Sequence, residues 1–325
     1  MKKFALVFSI SLLAPLTAFS PTTKAAFTDV EAEDMHYVAI GYLEEQGIIS
    51  GYEDGTFKAH EKVNRAEALK MLTIAGGFFT ETAPDKVNTA IHDFQSLPEL
   101  FTDTPENAWY LPYLAAAKEK GIIEGYDDGS FRPEQNINLV EALKIYLSSF
   151  DNIIFPNLNN YIFLDTPENA WFTPYTAYSA QRGMLEINLE NKIFPDQELT
   201  RGYLAEIIYR KKKSGEGFDF GKATFYGANV QGSNTASGQT FDMNLFTAAH
   251  KTLPFNTIVR VTNLANGKTV DVKITDRGPY GPGRVLDLSS GAFKEITDLW
   301  RGIINVQYEV IPTETISEAI QDDSQ

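Results

Sequence analysis

The residues best suited to proton transfer lie near the carboxyl end of the chain. Asp276 follows the alternating strand-like segment 270–274 and precedes an Arg-Gly-Pro sequence that begins at Arg277. A strand that ends in a turn presents its last side chain at the edge of a sheet, and a carboxyl group there can donate and accept a proton. The same pattern also fits an aspartate that only caps the turn. Asp276 is therefore a candidate acid–base residue whose role the residues alone leave open.

A second candidate is His250, which stands in the sequence Thr-Ala-Ala-His-Lys-Thr-Leu-Pro. The ordinary pKa of histidine lies near neutrality, so His250 can hold a substrate or orient a carboxylate such as Asp276. The other three histidines, His36, His60 and His92, come earlier in the chain. A lone histidine is also a common structural residue, and both interpretations stay open at this point.

Composition excludes several other chemistries. The chain of 325 residues contains no cysteine, which excludes a disulfide scaffold, a cysteine-ligated zinc site and a cysteine nucleophile. No group of His, Asp and Glu in the sequence has the spacing of metal ligands, and neither a phosphate-binding loop nor a serine-hydrolase elbow occurs. We therefore expect no metal and no cofactor.

The segment that carries these candidates has the pattern of a small all-β domain. From Gly221 onward, short β-branched or alternating runs are separated by Gly, Asn and Pro, which is typical of strands joined by turns. One short helix is expected near 289–297, capped by Ser289 or Ser290. The pattern predicts a barrel-like β domain over 221–312, with strands within 223–226, 257–262, 269–274 and 303–310.

Three sequence strings in this domain make a specific resemblance to a known family. Together they resemble the double-psi β-barrel of the RlpA (rare lipoprotein A) family, which is related to expansin barrels. The resemblance implies a lytic transglycosylase that acts on the glycan strands of peptidoglycan. The strings are Tyr-Gly at 226–227 with Thr-Ala-Ser-Gly-Gln-Thr-Phe-Asp at 235–242, Thr-Ala-Ala-His-Lys-Thr-Leu-Pro-Phe at 247–255, and Thr-Asp-Arg-Gly-Pro-Tyr at 275–280 with Gly-Arg-Val-Leu-Asp-Leu-Ser at 283–289.

The implied reaction cleaves the bond between N-acetylmuramic acid (MurNAc) and N-acetylglucosamine (GlcNAc). The 6-hydroxyl of MurNAc attacks its own C1 and leaves a 1,6-anhydro end, so the carboxylate spacing rule for hydrolases need not apply. One carboxyl group with a raised pKa can protonate the leaving oxygen and then accept the hydroxyl proton. The resemblance implies that Asp276 is this catalytic group. It also implies that His250 lies beside the groove, where it bonds the sugar or orients Asp276.

The resemblance further implies a set of substrate-binding residues. Tyr226 would stack on a sugar ring or, alternatively, belong to the core. Thr235 and Ser237 would line the groove through their hydroxyls. Arg277 would bind substrate, brace the turn or pair with a carboxylate. Asp287 is predicted to be a structural hydrogen-bonding residue.

The first two thirds of the chain repeat one sequence unit three times. Each unit opens with Phe-Thr-Asp or Phe-Leu-Asp, continues into a helical stretch that ends at a Gly, and enters a second helix after a turn-rich loop. Gly suits the left-handed position that ends a helix, and Asn or Thr suits the N-cap that starts one. The openings lie at 27–30, 101–109 and 163–171, the glycines at 47, 121 and 183, and the N-caps at Asn64, Asn138 and Thr200.

These units are predicted to be helix–loop–helix repeats of about 50 residues. A single unit cannot bury both of its helices, so three are expected to pack together. Trp109 and Trp171 are predicted to be core residues. The Asp-Gly loops are predicted to be turns rather than calcium sites, because they lack the ligand spacing of an EF-hand.

The repeats resemble S-layer homology modules over residues 26–210. That family implies a three-fold pseudo-symmetric helical unit that binds secondary cell-wall polymer. Arg65 and Arg201 retain the arginine of its polymer-binding motif, Thr-Arg-Ala-Glu, and are candidates to pair with an anionic sugar, because guanidinium matches carboxylate geometry. The three copies read Asn-Arg-Ala-Glu at 64–67, Asn-Leu-Val-Glu at 138–141 and Thr-Arg-Gly-Tyr at 200–203.

The remaining segments complete the predicted domain organisation. Lys2, Lys3, the apolar run that follows and the small residues near Ala25 have the pattern of a cleaved secretory signal. No apolar run is long enough to span a membrane comfortably, so we expect a secreted envelope protein with no membrane span after cleavage. The predicted segments are a signal peptide at 1–25, repeats at 26–80, 98–150 and 160–210, a linker at 211–220, the barrel at 221–312 and an acidic tail at 313–325.

The net charge of −15 is unevenly distributed along the chain. Residues 26–220 carry a net charge of −16, whereas residues 221–312 carry +2. Overall acidity argues against nucleic acid as a partner, and a slightly basic barrel suits an anionic glycan.

The leading hypothesis is an exported peptidoglycan lytic transglycosylase. Its repeats, in place of the lipid-modified Cys of many RlpA proteins, are expected to hold it at the wall through secondary cell-wall polymer. One alternative is a non-catalytic, expansin-like protein that binds or loosens wall polysaccharide. The other is a structural envelope protein in which the barrel is an accessory.

Overall fold

Within the part of the chain that the structure describes, six helices build the repeats, two in each unit. The computed structural model describes residues 27–77, 100–157 and 163–312. The predicted signal peptide, the acidic tail and the predicted repeat ends within 78–99 and 158–162 lie outside these residues. The helices are α1 (Tyr37–Glu45), α2 (Arg65–Ala75), α3 (Leu111–Glu119), α4 (Leu139–Ser148), α5 (Thr173–Gln181) and α6 (Arg201–Ser214).

The second helix of each unit begins where the sequence predicts it. The Asn64 side chain accepts a hydrogen bond from the Glu67 backbone N–H at 2.8 Å, and Asn138 accepts one from Glu141 at 2.9 Å. Each Glu side chain in turn accepts a hydrogen bond from the backbone N–H of the cap residue, which completes a capping box. Thr200 caps α6, the second helix of the third unit, through its hydroxyl and without a capping box. These caps confirm the predicted helix starts.

An aspartate in each opening string fastens the loop before the second helix. Asp29 accepts hydrogen bonds from the backbone N–H groups of Phe57 and Lys58, both at 2.7 Å. Asp103 and Asp165 make the same pair of bonds in the second and third units. The carboxylate satisfies N–H groups that the turn leaves without a backbone partner, which explains why this aspartate recurs.

The three units close into a ring just before their second helices. The Ile137 N–H donates to the Val63 carbonyl at 3.1 Å, Leu199 donates to Ile137 at 2.9 Å, and Val63 donates to Leu199 at 3.0 Å. Each unit thus donates to one neighbour and accepts from the other, as a three-fold pseudo-symmetric arrangement requires. One buried core runs through all three units.

Two side-chain predictions for the repeats have different outcomes. Trp109 and Trp171 are each 55% exposed, so the prediction that they are core residues is wrong. Each stands before the first helix of its unit and packs edge-on against the next aromatic residue. The Asp-Gly loops are turns, since Asp54 and Asp128 each accept the backbone N–H two positions later.

Six strands close a barrel in the described C-terminal residues. Their order is β1-β5-β2-β4-β3-β6, with β1–β5 and β2–β4 parallel and the other neighbours antiparallel. The predicted double-psi β-barrel is therefore confirmed. The strands are β1 (Asp219–Tyr226), β2 (Thr247–His250), β3 (Ile258–Asn263), β4 (Thr269–Asp276), β5 (Arg284–Ser289) and β6 (Ile304–Val310).

The alternation of apolar and polar residues predicts four of these strands but misses β2 and β5. The short helix is where its capping serine predicts it. Helix α7 (Ser290–Ile296) begins after Ser289, whose side chain accepts the Ala292 N–H, as predicted. β2 buries three successive residues and β5 does not alternate strictly. Burial in these two strands therefore lacks the period of two by which the other strands are recognised.

The predicted linker at 211–220 is wrong, because the structure divides this segment between a helix and a strand. α6 continues through Ser214 with three lysines in its last turn. Positive charge there is favourable because the C-terminal end of a helix dipole is negative. β1 begins at Asp219, so only residues 215–218 connect the two. No helix in the described ranges is long and apolar enough to cross a membrane.

Candidate active site at the barrel rim

Asp276 is the last residue of β4 and lies at a rim of the barrel. A register shift separates the pair Ala248↔Ile274 from the pair Ala249↔Asp276, which is the signature of a bulge. The Oδ1 atom of Asp276 accepts hydrogen bonds from the backbone N–H groups of Ala236 at 2.9 Å and of Arg277 at 2.8 Å. No hydrogen bond to Oδ2 is found among the described residues.

The loop before β2 brings two of the predicted substrate-binding residues next to Asp276. Thr235 and Ser237 flank Ala236, the residue whose N–H holds the carboxylate. The Thr235 hydroxyl donates to the Gln239 carbonyl and lies 3.0 Å from the Ser237 hydroxyl. Thr235 is buried and Ser237 is half-buried. The loop thus presents Ser237 more openly than Thr235.

A second carboxylate, Asp287, lies on the same part of the rim. Ala249 pairs with Asp276 on one side and with Asp287 on the other, so the two Cα atoms are about 10 Å apart at a strand spacing of ~4.8 Å. The Oδ1 of Asp287 accepts bonds from Thr224 and Arg284. These bonds agree with the predicted structural role, and β2 lies between the strands that carry Asp287 and Asp276.

Tyr226 is half-buried, and its ring packs against Phe241 at a centroid distance of 4.6 Å. Its hydroxyl lies near those of Thr247 and Thr275, yet none of the three makes a hydrogen bond of normal geometry. Burial raises the pKa of Tyr226 strongly, and the negative charge of Asp276 adds to the increase. The ring packing and the buried hydroxyl favour the core interpretation over sugar stacking.

His250 is 8% exposed and its ring is fully engaged by the barrel. Its Nδ1 accepts the backbone N–H groups of Thr252 and Leu253 at 3.1 and 2.9 Å, and its Nε2 lies 2.9 Å from the Tyr308 hydroxyl. Burial lowers the pKa of His250, as do the charges of Arg277 and Lys251. The ring is therefore a neutral acceptor at Nδ1, and no bond joins it to Asp276 in the described residues.

Arg277 links the ends of β2 and β4. Its guanidinium lies over the Phe255 ring at 3.8 Å and donates to the backbone carbonyls of His250 and Asp276. These contacts correspond to the turn-bracing role among the predicted alternatives. Through them, the guanidinium joins the backbone at His250 to the backbone at Asp276.

The two motif arginines of the repeats are buried rather than displayed to solvent. Arg65 is 6% exposed and Arg201 is 5% exposed. The Nε of Arg65 donates to the Phe131 carbonyl and that of Arg201 to the Phe57 carbonyl, both at 2.9 Å. Each arginine therefore ties its own unit to the next one around the ring. Contact with a wall polymer remains a prediction for both.

A cavity of about 270 Å³ opens beside Arg201. We call it groove A. The Arg201 guanidinium lies 4.7 Å from the centre of the Tyr52 ring and 3.8 Å from Glu67. The exposed Trp109 side chain forms part of the cavity wall. Groove A is defined by Tyr52, Glu67, Lys70, Trp109 and Arg201.

The same set of residue types recurs one unit further around the ring, and we call it groove B. Arg65 lies 4.9 Å from the Tyr126 ring centre and 3.4 Å from Glu141. Lys144 lies 5.8 Å from the Trp171 ring centre. Groove B is defined by these five residues. The sequence repeats contained this signal, because Trp109 and Trp171 occupy the same place in their units.

Comparisons with known proteins divide the chain in the same way. Residues 219–308 match the family model described as "Lytic transglycolase", and residues 26–69 and 100–142 match the S-layer homology domain. The third unit, with α5 and α6, has the same helix arrangement as the first two. The chain thus combines S-layer homology repeats with an RlpA-like double-psi β-barrel.

Individual relatives match about a third of this chain. The endolytic peptidoglycan transglycosylase RlpA of Pasteurella multocida (strain Pm70) is 46% identical over 108 residues, which are 32% of this chain and 37% of that protein. A probable RlpA of Synechocystis sp. is 50% identical over 91 residues, 28% of each chain. The chain thus spans about a third of the length of the curated relatives it matches. The Streptomyces papain inhibitor is 25% identical over 29% of this chain and 94% of its own, with a TM-score of 0.26.

Proposed function

We propose that this protein is an exported lytic transglycosylase that cleaves MurNAc–GlcNAc bonds in peptidoglycan and leaves 1,6-anhydro-MurNAc ends. The observation that carries the proposal is the Asp276 carboxylate at the rim of a barrel that matches the lytic transglycosylase family. One of its oxygens is held by two backbone N–H groups, and the other faces no hydrogen-bond donor among the described residues. Relatives named as endolytic peptidoglycan transglycosylases support the same activity.

In the proposed mechanism Asp276 acts twice. As an acid it donates its proton to the bridging oxygen while the bond from that oxygen to C1 of MurNAc breaks. As a carboxylate it then takes the proton of the 6-hydroxyl while the oxygen of that hydroxyl forms the new bond to C1. Atoms and charges balance without an external water, so a single carboxyl group suffices. The Ala236 and Arg277 N–H groups hold Asp276 in place for both steps.

The other predicted site residues take supporting roles in this proposal. His250 was predicted to be catalytic. In this proposal its ring instead fastens the turn after β2 through Tyr308 and the Thr252 N–H, and its backbone carbonyl accepts a bond from Arg277. Ser237 and Thr235 line the groove beside Asp276. Tyr226 fills the floor of the site with its ring. Asp276 is then the one residue that exchanges protons with the substrate.

The activity is tested by digesting purified sacculi, with and without stem peptides, and identifying new glycan ends by mass spectrometry. We expect 1,6-anhydro-MurNAc ends from the wild-type protein and none from Asp276→Asn, which should still bind sacculi. A matched control is Asp242→Asn, because Asp242 caps a nearby turn and bonds the Asn244 N–H. Sacculus binding or loosening without new ends on any substrate would instead establish the expansin-like alternative.

We also propose that the repeats hold the protein in the cell envelope by binding wall polymer. The S-layer homology match supports this location. Grooves A and B each combine an exposed tryptophan, which can stack on a sugar ring, with an arginine and a lysine that attract negative charge. Such local sites are needed because residues 26–220 carry a net charge of −16, which opposes the approach of an anionic polymer.

A further inference from the structure

The third position around the ring, which we call groove C, differs from grooves A and B at every defining residue. Its loop is formed by the third unit, its helix is α6, and its remaining residues come from the first and second units. All five changes fall in one place because each groove draws residues from all three units. In groove C, Asn188 replaces the Tyr, Tyr203 the Glu, Glu206 the Lys, Met35 the Trp and Leu139 the Arg.

Glu206, which replaces the lysine in groove C, belongs to a buried polar network. Glu206 is 1% exposed and accepts a hydrogen bond from the Arg210 Nε at 2.7 Å, while its other oxygen lies 3.6 Å from His36 Nδ1. The Tyr203 hydroxyl accepts the Glu186 backbone N–H at 3.0 Å. The cation offered by Lys70 or Lys144 in grooves A and B therefore has no counterpart here.

The barrel lies against groove C. Lys222 of β1 donates from Nζ to the Ile187 carbonyl at 2.8 Å, and Asn305 of β6 donates from Nδ2 to Glu186 Oε1 at 3.0 Å. Gly283 approaches so closely that a Cβ there would lie 2.9 Å from the Ile187 carbonyl oxygen. Glu186 and Ile187 occupy the loop positions that line groove A as Ser50 and Gly51.

Contacts beside groove C extend this seam between repeats and barrel. The Glu33 N–H donates to the Ala265 carbonyl at 2.8 Å, and the Glu33 carboxylate pairs with Arg301 at 2.8 Å. The buried Tyr209 hydroxyl on α6 bonds Gln307 of β6 at 2.5 Å. The seam thus has polar and buried contacts of the kind that join permanent partners.

We propose that groove C is the docking site of the barrel and binds no wall saccharide, so that the chain holds wall polymer through grooves A and B only. The binding half of this proposal rests on the proposed anchoring function, whereas the docking half does not. The departures from the repeat motif at 138–141 and 200–203 then have one cause. They adapt one of three equivalent surfaces to a protein partner, and they fix the catalytic rim relative to the two remaining grooves.

The first experiment measures binding of the full chain to sacculi that retain their attached polymers, with acid-stripped sacculi as the background. We expect Trp109→Ala and Trp171→Ala each to weaken binding about tenfold or more, because two linked sites act together. The double variant should bind no better than background. Met35→Ala, at the equivalent position of groove C, is the matched control and should bind as the wild type does.

Two results would overturn the two-groove proposal. One is a double variant that keeps most of its binding, and the other is a Met35→Ala variant that loses as much as a tryptophan variant. If the wild-type chain itself does not bind these sacculi, the anchoring function fails instead, and the docking experiment below still gives an answer.

The second experiment tests docking by charge. Asn305→Asp keeps the side-chain shape but places a carboxylate against Glu186, so we expect the barrel to separate from the repeats. Calorimetry should then show two unfolding transitions where the wild type shows one, and a protease should cut at 215–218. Adding Glu186→Gln removes the repulsion and should restore the wild-type pattern. If Asn305→Asp alone shows the wild-type unfolding transition and the wild-type resistance to protease, groove C does not hold the barrel.

Discussion

The repeats and the barrel both carry charged residues at motif positions, but they use them differently. In the repeats, Arg65 and Arg201 are buried and bond main-chain carbonyls of a neighbouring unit. In the barrel, Asp276 is held by two N–H groups at one oxygen, and no bond to the other oxygen is found among the described residues. Charged motif residues therefore serve packing between units in the repeats, whereas at the end of β4 the main chain holds only one oxygen of the motif residue.

The largest effect is expected for the accessible motif residue. Asp276→Asn should lower the rate of anhydro-end formation by about 10²–10⁴-fold, the usual contribution of a general acid or base, while thermal stability stays near that of the wild type. The initial rate on isolated glycan strands and a melting curve measure both quantities. A variant that keeps a near wild-type rate would assign the chemistry to another group, with Asp287 the first to examine.

The next effect is on stability and concerns a buried motif residue. Arg65→Ala leaves Glu141 without its partner across the ring and should reduce the free energy of unfolding by about 3 kcal/mol, as expected when a largely buried pair is broken. Urea unfolding of the full chain measures this loss. Arg132→Ala, at an exposed pair with Asp128, is the control and should leave the urea midpoint unchanged.

The contact between the second and third units offers a sharper form of the same test. At that contact Leu139 and Tyr203 stand in place of the Arg–Glu pair. The double variant Arg65→Leu with Glu141→Tyr copies it and should retain more stability than Arg65→Ala, because no buried charge is left unpaired. Equal losses in both variants would contradict the ring-closing role of the arginine.

A smaller effect separates His250 from Asp276 by its dependence on pH. Burial lowers the pKa of His250 below its ordinary value of 6.5, so the folded state disfavours the protonated ring. Stability should be fully present above pH 6.5 and should fall as the pH drops toward the lower folded-state pKa. His250→Asn should reduce this loss of stability between pH 7 and about pH 5. Urea midpoints across that range measure it, and an unchanged pH profile would contradict the assignment.

The smallest effect is expected at Tyr226. Its hydroxyl has no hydrogen-bond partner of normal geometry, so Tyr226→Phe removes no bond and should change stability by less than about 1 kcal/mol. The ring packing against Phe241 is kept, and the rate should stay close to that of the wild type. Urea unfolding and the glycan assay check both statements. A large loss of rate would show that the hydroxyl contacts substrate.

Local rules predicted much of this molecule. Caps at Asn64, Asn138 and Thr200 fixed the starts of three helices, because a side chain that satisfies a nearby N–H acts within one turn. Alternation predicted four strands, and Ser289 predicted the start of α7. The same rules placed Trp109 and Trp171 in the core and a linker after Arg210, and both predictions were wrong.

The sequence by itself determined the two domain types, the three units and the position of Asp276 at the end of a strand. Those features depend on residues that are close along the chain or repeat at a fixed spacing. Only the tertiary structure decided that Arg65 and Arg201 close the ring, that His250 bonds Tyr308, and that the barrel contacts the third unit at Glu186 and Ile187. These contacts join residues far apart in sequence, so their energies depend on burial and distance that no local pattern contains.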